Sequence, residues 1–343
     1  MLEEIVKVEQ LKKYFPVNMG FLTTLLSRKE VYIRAVDGVT FDIKKGEIFG
    51  LVGESGSGKT TIGRLLLRLT DPTDGKIFFE GKDISKMPQK DLRPLRRKMQ
   101  IIFQDPYESL NPRMTISSII MEPLTIQGGI SREEIENKVA KALEDVDLIP
   151  PEEFLLRFPH ELSGGQRQRV GVARALVLNP DFIVADEPVS MLDVSIRAEV
   201  VNILVNLLEK YNVSFLFITH DVALARHICN RIAIMYLGKI MEKGLTENVV
   251  FEPLHPYTRA LISAVPVPDP ATKRSDVALK GEIPSPINPP SGCRFHTRCS
   301  IAEFPLCKEK EPPLIDYKDG HSAACHLIGK SSWQKYYGSE KLA

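Results

Sequence analysis

Gly53, Glu54, Ser55, Gly56, Ser57, Gly58, Lys59, Thr60 and Thr61 follow one another in the order glycine, four residues, then Gly-Lys-Thr. That spacing suits phosphate chemistry. Glycines let the main chain wrap a phosphate chain with its N–H groups pointing inward, a lysine at the end reaches the β- and γ-phosphates, and the next hydroxyl sits on Mg²⁺. Lys59 and Thr60 take those parts here. A carboxylate pair, Asp186 and Glu187, follows the apolar run Phe182-Ile183-Val184-Ala185. The first carboxylate can hold the magnesium shell, and the second can orient or deprotonate an attacking water.

These groups need elements to position them. Ile48 to Val52 reads as a buried strand and Thr61 to Leu67 as the opening of a helix, so the glycine loop joins strand to helix and adds a helix N-terminus to the anion site. Ser163, Gly164 and Gly165, ahead of a helical pattern from Gln166 to Leu178, make a second N-terminal anion site. Further on, helix is expected over Ser195 to Tyr211 and buried strand over Val213 to Ile218. Strands alternating with helices imply a parallel sheet under helical cover.

With the glycine loop and the acidic pair, Leu162-Ser163-Gly164-Gly165-Gln166 makes the chain resemble the ATP-binding subunits of ABC transporters. The resemblance implies an α/β fold, a P-loop NTPase of the ABC ATPase kind, with an antiparallel β subdomain, an inserted helical subdomain and a loop-rich C-terminal extension. It implies that Ser163, Gly164, Gly165 and Gln166 cap the ATP of an opposing subunit, so that two chains pair head to tail around two ATP molecules. Gln104, in Ile102-Phe103-Gln104-Asp105, matches the glutamine that meets Mg²⁺ and water and reports to the membrane subunit. His220, after Phe217-Ile218-Thr219, matches the switch histidine at the γ-phosphate. Asp193 matches the loop that crosses between subunits, where the family more often has alanine at the position of Met191. Tyr14, in Leu11-Lys12-Lys13-Tyr14-Phe15, is the candidate for stacking on adenine, and Met19 to Tyr32 form a longer insert than the family minimum.

The C-terminal part narrows the resemblance. His255-Pro256-Tyr257-Thr258-Arg259-Ala260-Leu261 and Gly281-Glu282-Ile283-Pro284-Ser285-Pro286 look like the C-terminal extension of oligopeptide/dipeptide importer ATPases. In that family two related ATPase subunits, paralogous or identical, sit under two membrane permease subunits served by an extracytoplasmic binding protein. Half of the 24 prolines lie between Pro253 and Pro313, so a separate appendage is expected over 253–343, after an ATPase domain at 1–252 whose helical subdomain spans about 90–165. Cys293, Cys299, Cys307 and Cys325 cluster there with gaps of five, seven and seventeen residues. Four thiolates suit zinc or an iron–sulfur cluster, and spacing alone does not identify the metal. The resemblance points to a 4Fe-4S cluster with a structural role.

The 343 residues exceed what one core usually serves. With 45 Lys+Arg against 44 Asp+Glu and no long run of one sign, no polyanion-binding surface is indicated and nucleic acid is not expected. No apolar stretch reaches bilayer length, and Met1-Leu2-Glu3-Glu4 does not open a signal sequence, so the cytoplasmic face of the membrane is the expected location. A soluble ABC-type ATPase acting on nucleic acid or ribosomes is the alternative from another class, and a module that senses ATP without splitting it is a third. The charge balance and the single ATPase unit weigh against the first, and Glu187 with His220 against the second.

Overall fold

All five positions of β3 (Ile48–Val52) are buried, and the reason is the strand's place at the centre of a sheet covered on both faces. The computed structural model describes residues 3–17, 31–265 and 281–337. In it β3 runs parallel to β8 (Ser214–Thr219) on one side and to β9 (Arg231–Tyr236) on the other, pairing Val52 with Thr219 and with Ile234. Beyond β8 lie β7 (Phe182–Asp186) and then β6 (Met99–Ile102), both parallel to it. The expected strands at 182–185 and 213–218 and the helices Gly164–Leu176 and Val194–Tyr211 are thus present, with bounds moved by a few residues. Strand β10 (Lys239–Leu245) returns antiparallel to β9 through Leu237 and Gly238, both at positive φ, the backbone that a two-residue hairpin demands.

A second, four-stranded antiparallel sheet orders β2 (Tyr32–Lys44), β1 (Glu4–Pro16), β4 (Asp74–Phe79) and β5 (Lys82–Asp83). Its buried Val36, Phe41 and Ile43 share one core with Phe49 and Leu51 of β3 and with Ile62, Leu65 and Leu66 of the helix Lys59–Leu66. The phosphate-loop helix is therefore clasped between two sheets. Of the insert expected from Met19, all but its last two residues lie outside the described residues.

The helical layer holds Ile116–Gln127, Arg132–Glu144 and Glu152–Leu155. Ser131 caps the middle helix by accepting from the Glu134 N–H at 3.2 Å, and Val139, Ala142, Leu143 and Val146 are buried as an ordinary packing face. The layer begins later than the expected residue 90. Met99–Ile102 forms β6 at the sheet's edge because the free edge of β7 takes the short apolar run as a partner.

The C-terminal part is not a separate body. β12 (His321–Ala323) pairs with β10, β11 (Ile315–Lys318) pairs with β12, and the central sheet grows to eight strands. Glu242 of β10 is fully buried and organises the junction. Its carboxylate accepts from the N–H groups of Leu254 at 2.8 Å and His255 at 2.7 Å, and lies 2.7 Å from Nε2 of His321. Proline frequency marks loops, and these loops fold back because a buried carboxylate on the sheet needs their donors.

His255 caps the helix Pro256–Ser263: its Nδ1 accepts from the Tyr257 N–H at 3.0 Å. Burial depresses its pKa from 6.5 to about 3. The unfolded chain therefore takes up a proton below pH 6.5 that the folded chain refuses. The stabilisation is whole above that pH and drains as pH falls toward the folded value. His255→Asn keeps an acceptor for the cap and does not titrate, so the wild-type advantage over it is expected to shrink by about 2 kcal/mol between pH 7 and 5. Urea unfolding at the two pH values reads the difference.

Candidate active site

The loop after β3 turns through Gly53, Gly56 and Gly58, and two of the three have no room for a side chain. A Cβ on Gly53 would run into the Met235 carbonyl, and one on Gly58, at φ +105°, into the Ala35 carbonyl. Ser57 Oγ is buried without a hydrogen-bond partner, an orphaned donor inside the loop. Lys59 is buried, its Nζ donating to the carbonyls of Gly53 at 2.7 Å and Glu54 at 3.0 Å. Desolvation pulls the ammonium's pKa down, against the carboxylates of Glu187, Asp186 and Glu54. A cation so placed gains from a polyphosphate, so the loop fits one.

Across the cleft, Asp186 ends β7 and accepts from the Thr60 hydroxyl at 3.0 Å. Burial raises its pKa, with Glu187 adding repulsion, and a divalent cation would reverse both. A hydroxyl and a carboxylate in contact are oxygen donors of the kind Mg²⁺ takes. Glu187 sits at φ +46°, strained backbone for a residue other than glycine, while its N–H donates to the Ile218 carbonyl at 3.0 Å. Its Oε2 accepts from Gln104 Nε2 at 3.2 Å and lies 3.2 Å from His220 Nδ1. Gln104 follows β6, Asp186 ends β7, His220 follows β8 and the loop follows β3, so neighbouring parallel strands deliver the set from one end of the sheet.

Glu54, Ser55, Gly56, Gly58, Lys59, Thr60 and Thr61 of the loop, with Gln104, Glu187 and His220, line a cleft of about 750 Å³ together with Ile33, Ala35, Leu261, Ile283 and Pro286, while Asp186 lies behind Thr60 and reaches the site through its hydroxyl. Ser163, Gly164, Gly165, Gln166 and Asp193 do not line it. Ser163 caps the helix Gly164–Leu176 instead, accepting from the Gln166 N–H at 3.2 Å while its own N–H donates to Gln166 Oε1 at 3.0 Å. Gly165 is required by packing, since Ile196 occupies the space of a Cβ, and Asp193 stands exposed at the start of the helix Val194–Tyr211.

Tyr14 does not line the cleft either. Its hydroxyl donates to Asp37, which Arg294 also binds at 2.5 Å, and its ring lies 5.7 Å from the Arg34 guanidinium. Tyr14 pairs with Arg34 and Phe15 with Ile33, and directly opposed residues share a face, so Phe15 shares the face of Ile33, which lines the cleft, although Phe15 itself is not among the lining residues. Alternation along β1 turns Tyr14 to the other face of the strand.

Two features went unread in the sequence. Leu261, Ile283 and Pro286 bring the C-terminal part into the wall of the cleft, and Arg298 and Tyr257 from the same part hold Glu54. The motifs around 255–261 and 281–286 were visible, but their role depends on the fold-back.

Cys293 and Cys307 are buried, and Cys299 and Cys325 half-buried. Burial pushes the thiols of Cys293 and Cys325 up to about 12 and that of Cys299 to about 11, and neighbouring cysteines act in the same direction. Main-chain N–H groups of Phe295, Ile301, Ala302, Leu327 and Ile328 serve three of the sulfurs and oppose that rise without cancelling it. Among the described residues, however, no group of three or more His, Cys, Asp or Glu could hold a metal ion. The expectation of a 4Fe-4S or zinc site is therefore not met by a formed set of ligands. A single zinc needs its sulfurs about 2.3 Å from one point, and the side chains do not converge so.

Residues 36–190 match the ABC transporter family and residues 241–307 the oligopeptide/dipeptide transporter C-terminal region. The oligopeptide transport ATP-binding protein AppF of Bacillus subtilis is 50% identical over 95% of this chain and 98% of its own length. A putative peptide import ATP-binding protein of Brucella ovis is 53% identical over 85% of this chain and 92% of its own. Among solved structures, a dimeric post-hydrolysis state of the ATP-binding cassette MJ0796, bound to ADP and Pi, aligns at TM-score 0.61 and 30% identity over 70% of this chain and 98% of that one. With the glycine loop, Glu187 and His220 converging on one cleft and this likeness running nearly end to end, the chain belongs to the ATP-hydrolysing subunits of ABC transporters, in the group bearing the oligopeptide/dipeptide C-terminal region.

Proposed function

We propose that this ATPase energises the import of oligopeptides or dipeptides, or of oligosaccharides, from the cytoplasmic face of the membrane. It would work as one half of a pair, with a second copy or a paralogue, under two permease subunits fed by an extracytoplasmic binding protein. The observation that carries the reading is Glu187, strained and bridged to Gln104 and His220, directly after the Asp186 that accepts from Thr60. No helix among the described residues is long and apolar enough to cross a membrane, so the permeases would supply the passage.

Both bonds to Glu187 fall on Oε2, leaving Oε1 to accept from an attacking water. Lys59 would neutralise charge on the β- and γ-phosphates, and His220 would meet the γ-phosphate. Mg²⁺, held by Thr60, Asp186 and Gln104, supplies positive charge to the phosphate oxygens when bound. The Ser163–Gln166 turn and Asp193 stand outside the cleft, which supports their use on a second subunit's nucleotide. ATP must then favour the closed pair, since a ligand shifts an equilibrium only by its differential affinity. Phe15, sharing a face with Ile33, is the better candidate than Tyr14 for stacking on adenine.

The cysteine set is proposed to hold a 4Fe-4S cluster, with zinc as the alternative. Main-chain donors at the sulfurs support a thiolate-bound group. A cluster also accepts sulfurs standing farther apart than one ion allows.

Glu187→Gln is expected to bind ATP, lose about 10²- to 10⁴-fold in turnover and accumulate as a closed pair. Phosphate release and light scattering with ATP check it, and normal turnover would remove Glu187 as the base. Phe15→Ala is expected to weaken ATP binding about ten-fold, in line with the loss of one base–aromatic stack, while Tyr14→Phe leaves it in place. Calorimetric titration separates the two. Iron and acid-labile sulfide are expected in protein purified without oxygen; zinc without iron would reverse the assignment.

A further inference from the structure

Glu54, second in the phosphate loop, is held at three points, and two of the three come from the C-terminal part. Its carbonyl accepts from Lys59 Nζ at 3.0 Å. Its N–H donates to the Tyr257 hydroxyl at 3.1 Å. Its carboxylate takes both arms of the Arg298 guanidinium, Nη1 to Oε2 at 2.7 Å and Nη2 to Oε1 at 3.1 Å. This geometry is bidentate, the strongest that a guanidinium and a carboxylate form.

The partners are themselves fixed. Arg298 is 6% exposed, stands next to Cys299, and its Nη1 reaches the Tyr236 hydroxyl at 3.4 Å. Tyr257 is fully buried, with its ring 4.8 Å from that of Tyr236 and 5.3 Å from that of Phe295. Phe295 lies between Cys293 and Cys299. The main-chain bond from Cys293 N–H to the Cys307 carbonyl, at 2.9 Å, closes the same loop.

Glu54 lines the cleft that takes the triphosphate. An uncompensated carboxylate there would repel a polyanion, and the repulsion would grow with the number of phosphate charges. We propose that Arg298 is a positioning residue of the ATP site, supplied by the cysteine loop: its guanidinium cancels the Glu54 charge and fixes the stretch of backbone that holds Lys59. The ATP site is then incomplete without the C-terminal part, and the cysteine loop's fold bears directly on nucleotide affinity. This rests on the reading of the cleft as an ATP site.

The test uses the full chain with MgATP and MgADP in calorimetric titration. Arg298→Met keeps the stem and removes the charge; it is expected to weaken ATP about ten-fold and ADP less, raising KM for ATP while kcat is largely kept. In the Glu54→Gln background the same substitution is expected to cost much less, because no carboxylate remains to be cancelled. Arg298→Lys, with one bond in place of two, should fall between, and it serves where the Met variant does not fold. Unchanged ATP affinity in both Arg298 variants, equal loss for ATP and ADP, or an undiminished loss in the Glu54→Gln background would each overturn the proposal. Failure of the wild-type chain to bind ATP would instead strike the underlying functional reading.

Discussion

A buried ammonium held by the main chain of its own loop governs this molecule. Lys59 sits below the surface with two main-chain carbonyls for company, and that contact survives only if the loop between β3 and its helix keeps one shape. The shape in turn needs the carbonyls of Met235 and Ala35 pressed against glycines, which brings the strands β9 and β2 into the site. Both sheets are thus committed to the phosphate loop. Desolvating a lysine is unfavourable, and the fold tolerates it where nearby carboxylates lessen the cost.

Much of this was legible because the chemistry is local in sequence. A glycine loop must follow a strand and open a helix, and Ile48–Val52 and Lys59–Leu66 do so. Asp186 and Glu187 end a short run of apolar residues that reads as a covered strand and is one. Gln104 and His220 were placed by resemblance, and the parallel order of β6, β7, β8 and β3 then explains why such distant residues meet.

What could not be read depended on pairing over long separations. Whether Tyr14 or Phe15 faces the cleft is a matter of register, and a step of one residue reverses a strand's faces. Met99–Ile102 is strand only because β7 offers an edge. The fold-back of the C-terminal part hangs on Glu242, whose neighbours in sequence give no hint that it receives donors from Leu254 and His255 and meets His321. The proline distribution reported loops correctly and could not show that they fold back onto the sheet.

The eight-stranded sheet ends at β11, whose four residues Ile315, Asp316, Tyr317 and Lys318 are all exposed. A rim this short and carrying charges of both signs is a poor template for another chain's strand. Growth of the sheet from molecule to molecule is discouraged there.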